Sequence, residues 1–354
     1  MKFGLVGAGA IGKLRADALG RAKSASLVAI SDLDEPRAKA AAPGVKFHAD
    51  PERLIADPEV EAVVISTPPQ FHEKLAVLAV RAGKHVLVEK PMAATVEACR
   101  RMVEAAQDSK RLLTVGFNHR YFPALKLVRD AVQSGELGEL RHVRAYAGHM
   151  GLQEFKSPWM YDANVMGGGA LMDNGIHILD LCRYIAGDFR EVYGHTLNET
   201  WKLGGAEDNA MALFRSDTGV VCSLHASWTE WKGYRFHVEA FGDRGMARAY
   251  YAPQMATVIT MDKPGGQRTI KRHFYPANIV REKLKGWQTT TVAALAEELD
   301  DFVAVAEGKP GSGRIATGID GIRSIETGKA VYASSKAGRS ITLDPLPAMS
   351  ATSR

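Results

Sequence analysis

The sequence predicts an α/β protein in which a doubly wound parallel sheet is followed by an α+β domain with a large, mostly antiparallel open sheet. From Lys2 to Val115, short β-rich runs alternate with helical stretches, which is typical of parallel strands joined by helices. After Asn118, polar and apolar residues alternate, which indicates strands with one covered face and one exposed face. A chain of 354 residues is long enough for two domains. We expect them at 1–118 and 119–344, with a loose tail over 345–354.

The individual elements follow from these patterns. Strands are predicted at 2–7, 26–31, 45–48, 62–66, 85–88 and 112–115, with helices near 10–22, 34–42, 51–56, 70–82 and 94–108. The run 62–66 is apolar without alternation, as expected for a strand buried on both faces. In the second half, strands are predicted at 140–146, 209–214, 220–228 and 234–241, with helices near 121–134, 170–186, 290–307 and 314–335.

Composition and charge exclude several classes of function. The net charge is +5, and basic residues are interspersed with acidic ones, so nucleic-acid binding is not indicated. The sequence has no apolar run long enough to span a bilayer, and Met1-Lys2 leads directly into the first strand without room for a signal peptide. Three widely spaced cysteines, Cys99, Cys182 and Cys222, suit a reducing compartment better than a disulfide framework or a zinc motif. We therefore expect a cytoplasmic protein with no membrane partner.

A glycine-rich turn follows the first strand and carries the strongest functional signal. Its residues are Gly7, Ala8, Gly9, Ala10, Ile11 and Gly12, and an acidic residue, Asp32, ends the second strand. This pattern is a dinucleotide-binding fingerprint of the Rossmann type. Gly7 permits the tight turn, Gly9 lets the backbone approach a pyrophosphate, Gly12 lets helix and strand pack, and the N–H groups of the first helical turn, at Ala10 and Ile11, face the anion. Asp32 faces the ribose hydroxyls and favours NAD over NADP, although Arg37 and Lys39 follow closely.

Residues after the later strands are expected to line the same crevice, because ligands bind beyond the carboxyl ends of parallel strands. Ser66, Thr67, Pro68 and His72 follow the fourth strand; they either line the adenosine half of the cofactor site or only begin the next helix. Glu89 and Lys90 follow the fifth strand, and Lys90 is expected to point into the crevice and hold a substrate hydroxyl rather than form a solvated surface pair.

The second half supplies candidate substrate-binding and acid–base residues. After the sixth strand, Asn118, Arg120 and Tyr121 are expected over the cleft, with a structural ion pair as the alternative for Arg120. Asp173, His177 and Asp180 fall on one face of the predicted helix 170–186. His177 suits a general base, with Asp173 orienting the substrate or stabilising the imidazolium, whereas a buried, satisfied histidine is the alternative. A metal site is not expected, since no fourth clustered ligand is evident. Further substrate contacts are predicted at Trp159, Tyr161 and Asn174.

Together, the glycine fingerprint, Asp32, the Glu89-Lys90-Pro91 turn, the 116–121 segment and the Asp173-x-Gly175-x-His177 segment resemble the Gfo/Idh/MocA oxidoreductases. The resemblance covers nearly the whole chain. It implies hydride transfer between NAD and a secondary alcohol of a sugar or cyclitol, with Lys90, Asp173 and His177 as the catalytic trio. It also implies a homodimer or homotetramer formed through the open sheet.

Two other functions remain open from the sequence. One is an enzyme of the same family that keeps NAD tightly bound and uses transient oxidation in a net non-redox reaction, such as glycoside cleavage or isomerisation. The other is a non-catalytic dinucleotide sensor, since a fold does not determine a function.

Overall fold

The computed structural model describes residues 1–153 and 157–345, which contain two β-sheets. The strands of the first sheet are β1 (Lys2–Val6), β2 (Ser26–Ser31), β3 (Lys46–His48), β4 (Ala62–Ile65), β5 (His85–Val88) and β6 (Leu113–Val115). They are parallel and lie in the order β3-β2-β1-β4-β5-β6, which confirms the predicted doubly wound sheet. The order reverses between β1 and β4, so the crevice at their carboxyl ends is the expected ligand site.

The first sheet is covered by helices that the sequence also predicts. They are α1 (Ala10–Leu19), α2 (Glu35–Ala41), α3 (Pro51–Ala56), α4 (His72–Arg81) and α5 (Val96–Asp108). Every side chain of β4 is buried, as the unbroken apolar run requires. Side chains before the helices cap several of them: Asp34 accepts a hydrogen bond from the backbone of Arg37, and Thr95 accepts one from Ala98.

The second sheet has nine strands. They are β7 (Leu140–Gly148), β8 (Phe189–Leu197), β9 (Asn209–Ser216), β10 (Val221–Ser227), β11 (Arg235–Gly242), β12 (Gly245–Tyr251), β13 (Met255–Met261), β14 (Arg268–Phe274) and β15 (Ile341–Thr342). Their order is β14-β13-β12-β11-β7-β10-β9-β8-β15. β7 and β10 pair in parallel, and the other neighbouring strands are antiparallel. The four predicted strands are β7, β9, β10 and β11; the other five were not predicted.

The helices of the second half of the chain pack against either of the two sheets or against neighbouring helices and turns. They are α6 (Pro123–Gln133), α7 (Ala163–Met166), α8 (Ile176–Ala186), α9 (Pro276–Lys285), α10 (Gln288–Ala306) and α11 (Gly318–Ala337). α10 packs against the first sheet, with the ring of Phe302 centred 5.6 Å from that of Phe3. α11 contributes Ile322 and Ile325 to a core shared with Val115 of β6. The last helices therefore join the two halves of the chain.

The predicted helix 170–186 is divided in the structure. Residues Leu171–Gly175 form a π-helical turn, and α8 begins at Ile176. The turn is anchored from outside, because the carboxylate of Glu207 accepts the backbone N–H groups of Gly169 and Leu171, each at 2.7 Å. A side chain at residue 169 would place its Cβ 2.1 Å from the carbonyl oxygen of Glu207, so the close approach requires glycine. Asp173 therefore lies on this turn rather than on a regular helix.

The structure also bears on the three cysteines, on membrane-spanning helices and on the C-terminal tail. The three cysteines are buried and form no disulfide. Among the described residues, no helix is both long enough and apolar enough to cross a membrane. The predicted tail lies outside the described residues beyond Pro345.

Candidate active site

The glycine turn between β1 and α1 has the shape that a dinucleotide requires. Gly7 has a φ of +95°, and a Cβ there would lie 2.7 Å from the carbonyl oxygen of Ser66. A Cβ on Gly12 would lie 2.0 Å from the carbonyl oxygen of Gly7. A Cβ on Gly9 would meet nothing within 4 Å. Two glycines thus serve close packing, and Gly9 leaves open space for a ligand to approach the backbone.

The first turn of α1 completes this cradle. Ala10 and Ile11 open the helix, and Gly9 precedes it in an extended conformation. By position, the N–H groups of a first helical turn have no acceptor within the helix, and they attract an anion. The residues present therefore fit the pyrophosphate of NAD.

Asp32 is held in place at the end of β2. Its Oδ2 accepts the backbone N–H of Ala8 at 2.6 Å, and its Oδ1 accepts the N–H of Asp34 at 2.8 Å and the guanidinium of Arg37 at 2.5 Å. Burial opposes ionisation, but these hydrogen bonds hold the pKa of Asp32 below its usual range. Arg37 is thus part of the Asp32 environment rather than only a solvated helix residue, whereas Lys39 pairs with exposed Glu35.

The turn after β4 lies beside the glycine turn. The backbone N–H of Ser66 donates to Val6 at 2.8 Å, which aligns the ends of β4 and β1. The hydroxyls of Ser66 and Thr67 are buried and have no hydrogen-bond partner among the described residues. Pro68 then precedes a 3-10 turn at Pro69–Phe71. Ser66 and Thr67 are therefore suited to contact a ligand in the crevice.

His72 is buried, begins α4 and joins two loops, so the helix-start alternative is the observed one and the predicted cofactor contact is wrong. Its Nε2 lies 2.8 Å from the carbonyl oxygen of Thr67, and its Nδ1 lies 3.2 Å from the carbonyl oxygens of both Pro91 and Met92. Burial lowers the pKa of His72. The ring ties the turn after β4 to the turn that carries Lys90.

Lys90 and Asp173 meet in the crevice. The Nζ of Lys90 donates to the backbone carbonyl oxygen of Asp173 at 2.8 Å and lies 3.5 Å from Oδ1 of its carboxylate. Oδ2 accepts hydrogen bonds from His149 Nε2 at 2.8 Å and from Trp228 Nε1 at 3.1 Å. Burial opposes ionisation, but Lys90 and these donors hold the pKa of Asp173 well below its usual range. The carboxylate is therefore charged and bound from several sides.

His177 lies nearby but does not pair with Asp173. Its ring packs edge-on against that of His119, with centroids 3.9 Å apart, and the Nδ1 atoms of both rings have no hydrogen-bond partner among the described residues. Burial, the His119 ring and the Lys90 charge lower the pKa of His177 well below its usual value. His177 is therefore neutral at neutral pH. The expected support of its imidazolium by Asp173 is not seen, because that carboxylate bonds to His149 instead.

Arg120 and Asp180 form a buried ion pair, so the predicted place of Arg120 over the substrate cleft is wrong. Arg120 donates to the two carboxylate oxygens of Asp180 at 2.7 and 2.5 Å and lies 3.4 Å from Asp320. Its guanidinium also stacks over the ring of Tyr184. Arg120 is 3% exposed and Asp180 is not exposed, so neither side chain reaches a substrate. The ion-pair alternative for Arg120 is the observed one.

Tyr121 and Glu89 are also structural. Tyr121 is 1% exposed, and its hydroxyl donates to Asp301 at 2.6 Å. Glu89 accepts from fully buried Arg15 at 2.6 Å, and Arg15 donates to Glu298 at the same distance. The Tyr121 hydroxyl and the Glu89 carboxylate are therefore occupied inside the protein instead of facing a substrate or a cofactor.

The remaining predicted substrate residues surround the site less directly. Asn118 opens the 3-10 turn Asn118–Tyr121 and is buried. Asn174 follows Asp173; its amide donates to Ser227 at 3.4 Å, and its Oδ1 has no partner among the described residues. Trp159 and Tyr161 are half-buried in the 3-10 turn Pro158–Tyr161. Substrate contact by these four side chains stays a prediction.

The structure brings three further residues to this site that were not predicted from the sequence: His149, Trp228 and His119. His149 and Trp228 directly follow β7 and β10. The parallel pairing of these strands, with Ser227 opposite Gly148, places the two side chains together. The strands are readable from the sequence, but their pairing is not.

The chain matches two family models. One is described as an oxidoreductase family with an NAD-binding Rossmann fold and matches residues 1–117. The other describes the C-terminal domain of GFO/IDH/MocA proteins and matches residues 125–248.

Similar proteins cover nearly the full length. The chain is 31% identical to inositol 2-dehydrogenase 2 of Saccharopolyspora erythraea, over 94% of this chain and 98% of that one. It is 29% identical to myo-inositol 2-dehydrogenase of Thermotoga maritima, over 97% of this chain and 99% of that one. A structure of levoglucosan dehydrogenase in complex with NADH superposes with a TM-score of 0.84 at 26% identity, covering 98% of this chain and all of the other.

Proposed function

Because this chain belongs to the Gfo/Idh/MocA family of oxidoreductases, we propose that it is an NAD-dependent dehydrogenase acting on a secondary alcohol of a sugar or cyclitol. The observation that carries the proposal is the contact between Lys90 and Asp173 beside the cofactor cradle. The backbone N–H of Glu89 donates to Ile65 of β4 at 2.9 Å, as that of Ser66 donates to Val6 of β1. The turn with Lys90 therefore begins at the same edge of the sheet as the glycine turn.

The chain's own residues supply placement and proton transfer. The glycine turn and Asp32 would hold NAD, which would supply a hydride acceptor for the substrate carbon when bound. Neutral His177 accepts the proton of the substrate hydroxyl. Lys90 has three N–H donors; one bonds to the Asp173 carbonyl, and another stabilises the developing negative charge on the substrate oxygen. The contacts with Asp173 hold the Nζ of Lys90 in position for the reacting oxygen.

The substrate is proposed to be an uncharged polyhydroxy compound. Arg120 is paired with Asp180 inside the protein, so it is not available to bind a substrate phosphate. Asn118, Trp159, Tyr161 and Asn174 are proposed to bind the substrate hydroxyls. The names of the relatives, which include inositol and levoglucosan dehydrogenases, support a cyclitol or an anhydro sugar.

A substrate screen tests this function. The purified protein is mixed with NAD and with sugars, inositols and 1,5-anhydro sugars, and NADH formation is followed by absorbance. We expect NADH with at least one neutral polyol. Cofactor that stays bound through purification, with conversion of substrate but no net NADH, would instead support the non-redox alternative. Binding of NAD without conversion of any substrate would support the sensor.

Asp32 is expected to make NAD the preferred cofactor. Replacing it with serine removes an acceptor for the ribose hydroxyls, so kcat/KM for NAD should fall by about 10- to 100-fold. The ratio of kcat/KM for NAD to kcat/KM for NADP should therefore also fall. The measurement is kcat/KM with each cofactor for the wild type, for Asp32→Ser and for the control Asp108→Ser, which changes an exposed residue at the end of α5. A wild type that prefers NADP contradicts this role.

The exposed face of the second sheet is proposed to bind a second copy of the chain. Tyr193, Met211, Leu213 and Val221 are 41–51% exposed on the adjacent strands β8, β9 and β10, and Tyr193 lies opposite Leu213. Light scattering should give a dimer or tetramer of the 38.4 kDa chain. Leu213→Glu should lower that mass, because it buries a charge in an apolar contact. The control Leu284→Glu, on α9, should not. A monomeric wild type would refute the proposal.

The proposal also covers the extent of the two units of the chain and its location in the cell. The cofactor unit is proposed to comprise residues 1–118, and the substrate unit 119–344. A cytoplasmic location is proposed because Cys99, Cys182 and Cys222 are buried thiols without a disulfide.

A further inference from the structure

We propose that His149 is a positioning residue for the reaction: it holds Asp173 so that one carboxylate oxygen stays directed to Lys90. This inference rests on the proposed function, because it concerns the same site. His149 Nε2 lies 2.8 Å from the Asp173 carboxylate, and the backbone carbonyl of Asp173 accepts a hydrogen bond from Lys90, so His149 acts on Lys90 through Asp173.

Sheet topology places His149 against Asp173. β7 and β10 run in parallel and end at Gly148 and Ser227, which lie opposite each other. The next residues, His149 and Trp228, leave the sheet at the same end, and the N–H of His149 donates to the carbonyl oxygen of Ser227 at 3.1 Å. Both side chains then donate to Oδ2 of Asp173. Two rigid strands therefore fix the two donors.

The hydrogen bonds of His149 determine which ring nitrogen carries the proton. The backbone N–H of Gly151 donates to Nδ1 at 3.0 Å, so Nδ1 is an acceptor. A neutral imidazole has one donor and one acceptor nitrogen, so Nε2 must carry the hydrogen. The carbonyl oxygen of His149 also accepts the N–H of Glu230 at 3.1 Å, which holds the backbone of this residue. The ring is consequently a fixed donor to Asp173.

Because His149 donates to one oxygen of the Asp173 carboxylate, the two oxygens have different partners. Oδ2 is satisfied by His149 and Trp228, whereas Oδ1 lies 3.5 Å from Lys90 Nζ. The titratable groups that face Asp173 are Lys90, from the turn after β5, and His149, after β7; the charge of Lys90 in turn acts on His119 and His177. Without the His149 donor, Asp173 would bind a proton more readily, and Lys90 would lose its charged partner.

Two substitutions at His149 separate a positioning role from a structural one. His149→Leu removes the donor, whereas His149→Gln keeps an N–H near the position of Nε2. In the leucine variant, kcat should fall by about 10- to 100-fold, since a hydrogen bond to a charged group is lost. The acid limb of the pH profile of kcat/KM should also move to higher pH. The glutamine variant should recover most of the activity and of the pH profile. If the leucine variant does not fold, His149→Asn, whose shorter side chain cannot reach Asp173, replaces it.

A second readout does not depend on turnover. The carboxyl carbon of Asp173, identified by comparison with Asp173→Asn, is titrated by NMR in the wild type and in both variants. We expect it to titrate at higher pH in the leucine variant than in the wild type, with the glutamine variant between them. His273→Leu, on the edge strand β14, is the matched control and should leave activity and titration unchanged.

The outcomes are distinct. Unchanged activity and titration in His149→Leu would overturn the role of His149, as would equal losses in both variants with an unchanged pH profile. A wild type that oxidises no polyol would refute the proposed function, while the carboxyl titration would still decide the role of His149.

Discussion

Replacing Lys90 with alanine should lower kcat for polyol oxidation by about 10²- to 10³-fold, the usual effect of losing one donor that stabilises a developing oxyanion. The affinity for NAD should remain nearly unchanged. Lys90 contacts Asp173 across the crevice, whereas the glycine cradle and Asp32 lie at the ends of β1 and β2. The substitution therefore removes charge stabilisation at the substrate oxygen without altering the cofactor cradle. Steady-state kinetics and NADH fluorescence titration measure the two effects separately.

Lys74→Ala is the matched control for this experiment. Lys74 is 74% exposed on α4 and pairs with Glu52 at the surface, so its loss should change neither quantity. If Lys90→Ala weakened NAD binding as much as it lowered kcat, Lys90 would belong to the cofactor site, and the proposed role would be wrong.

Replacing Arg120 with methionine should lower the free energy of unfolding by about 3–5 kcal/mol, because it leaves a buried carboxylate without its partner. Asp180 is not exposed, and both of its oxygens accept hydrogen bonds from Arg120. In this variant Asp320 still has its ion pair with Arg183 at 2.7 Å, so Asp180 is the carboxylate that loses its partner. Urea unfolding of the wild type and the variant measures the difference.

A double variant identifies the cause of this loss. Arg120→Met with Asp180→Leu removes the unpaired charge and should recover much of the lost stability. Arg21→Met, at an exposed position after α1, should change stability by less than about 0.5 kcal/mol. A double variant as unstable as Arg120→Met alone would show that the cost comes from lost packing and not from the buried charge.

The first half of the fold is readable from the sequence because its signals are local. Strands such as β4 are continuous apolar runs, and glycines and capping residues mark the turns and helix ends. The second sheet is harder to predict. β14 reads Arg-Thr-Ile-Lys-Arg-His-Phe and is almost entirely exposed, so its membership in the sheet depends on pairing with β13 and not on an apolar pattern.

The difference between local signals and tertiary pairing also explains which residues of the candidate site could be predicted. Lys90 was predictable because the end of a buried parallel strand faces the crevice, whatever the rest of the chain does. The hydrogen-bond partner of Asp173 was not predictable. Helical spacing suggested His177, whereas the observed partner, His149, is 24 residues away in sequence. The π-helical turn that moves Asp173 off the helix depends on Glu207, 34 residues further along the chain. The role of Arg120 could not be decided from the sequence, because only the tertiary structure shows that Asp180 pairs with it.

The proposed reaction transfers a hydrogen directly from the substrate carbon to the cofactor. The most direct measurement uses the polyol that gives NADH in the substrate screen, labelled with deuterium at the carbon to be oxidised. Mass spectrometry of the NADH then detects the label. We expect one deuterium in each NADH molecule formed by the wild type, and we expect NADH formation to be almost abolished in Lys90→Ala. NADH without deuterium, or no reduction of NAD by any sugar or cyclitol, would contradict the proposed reaction.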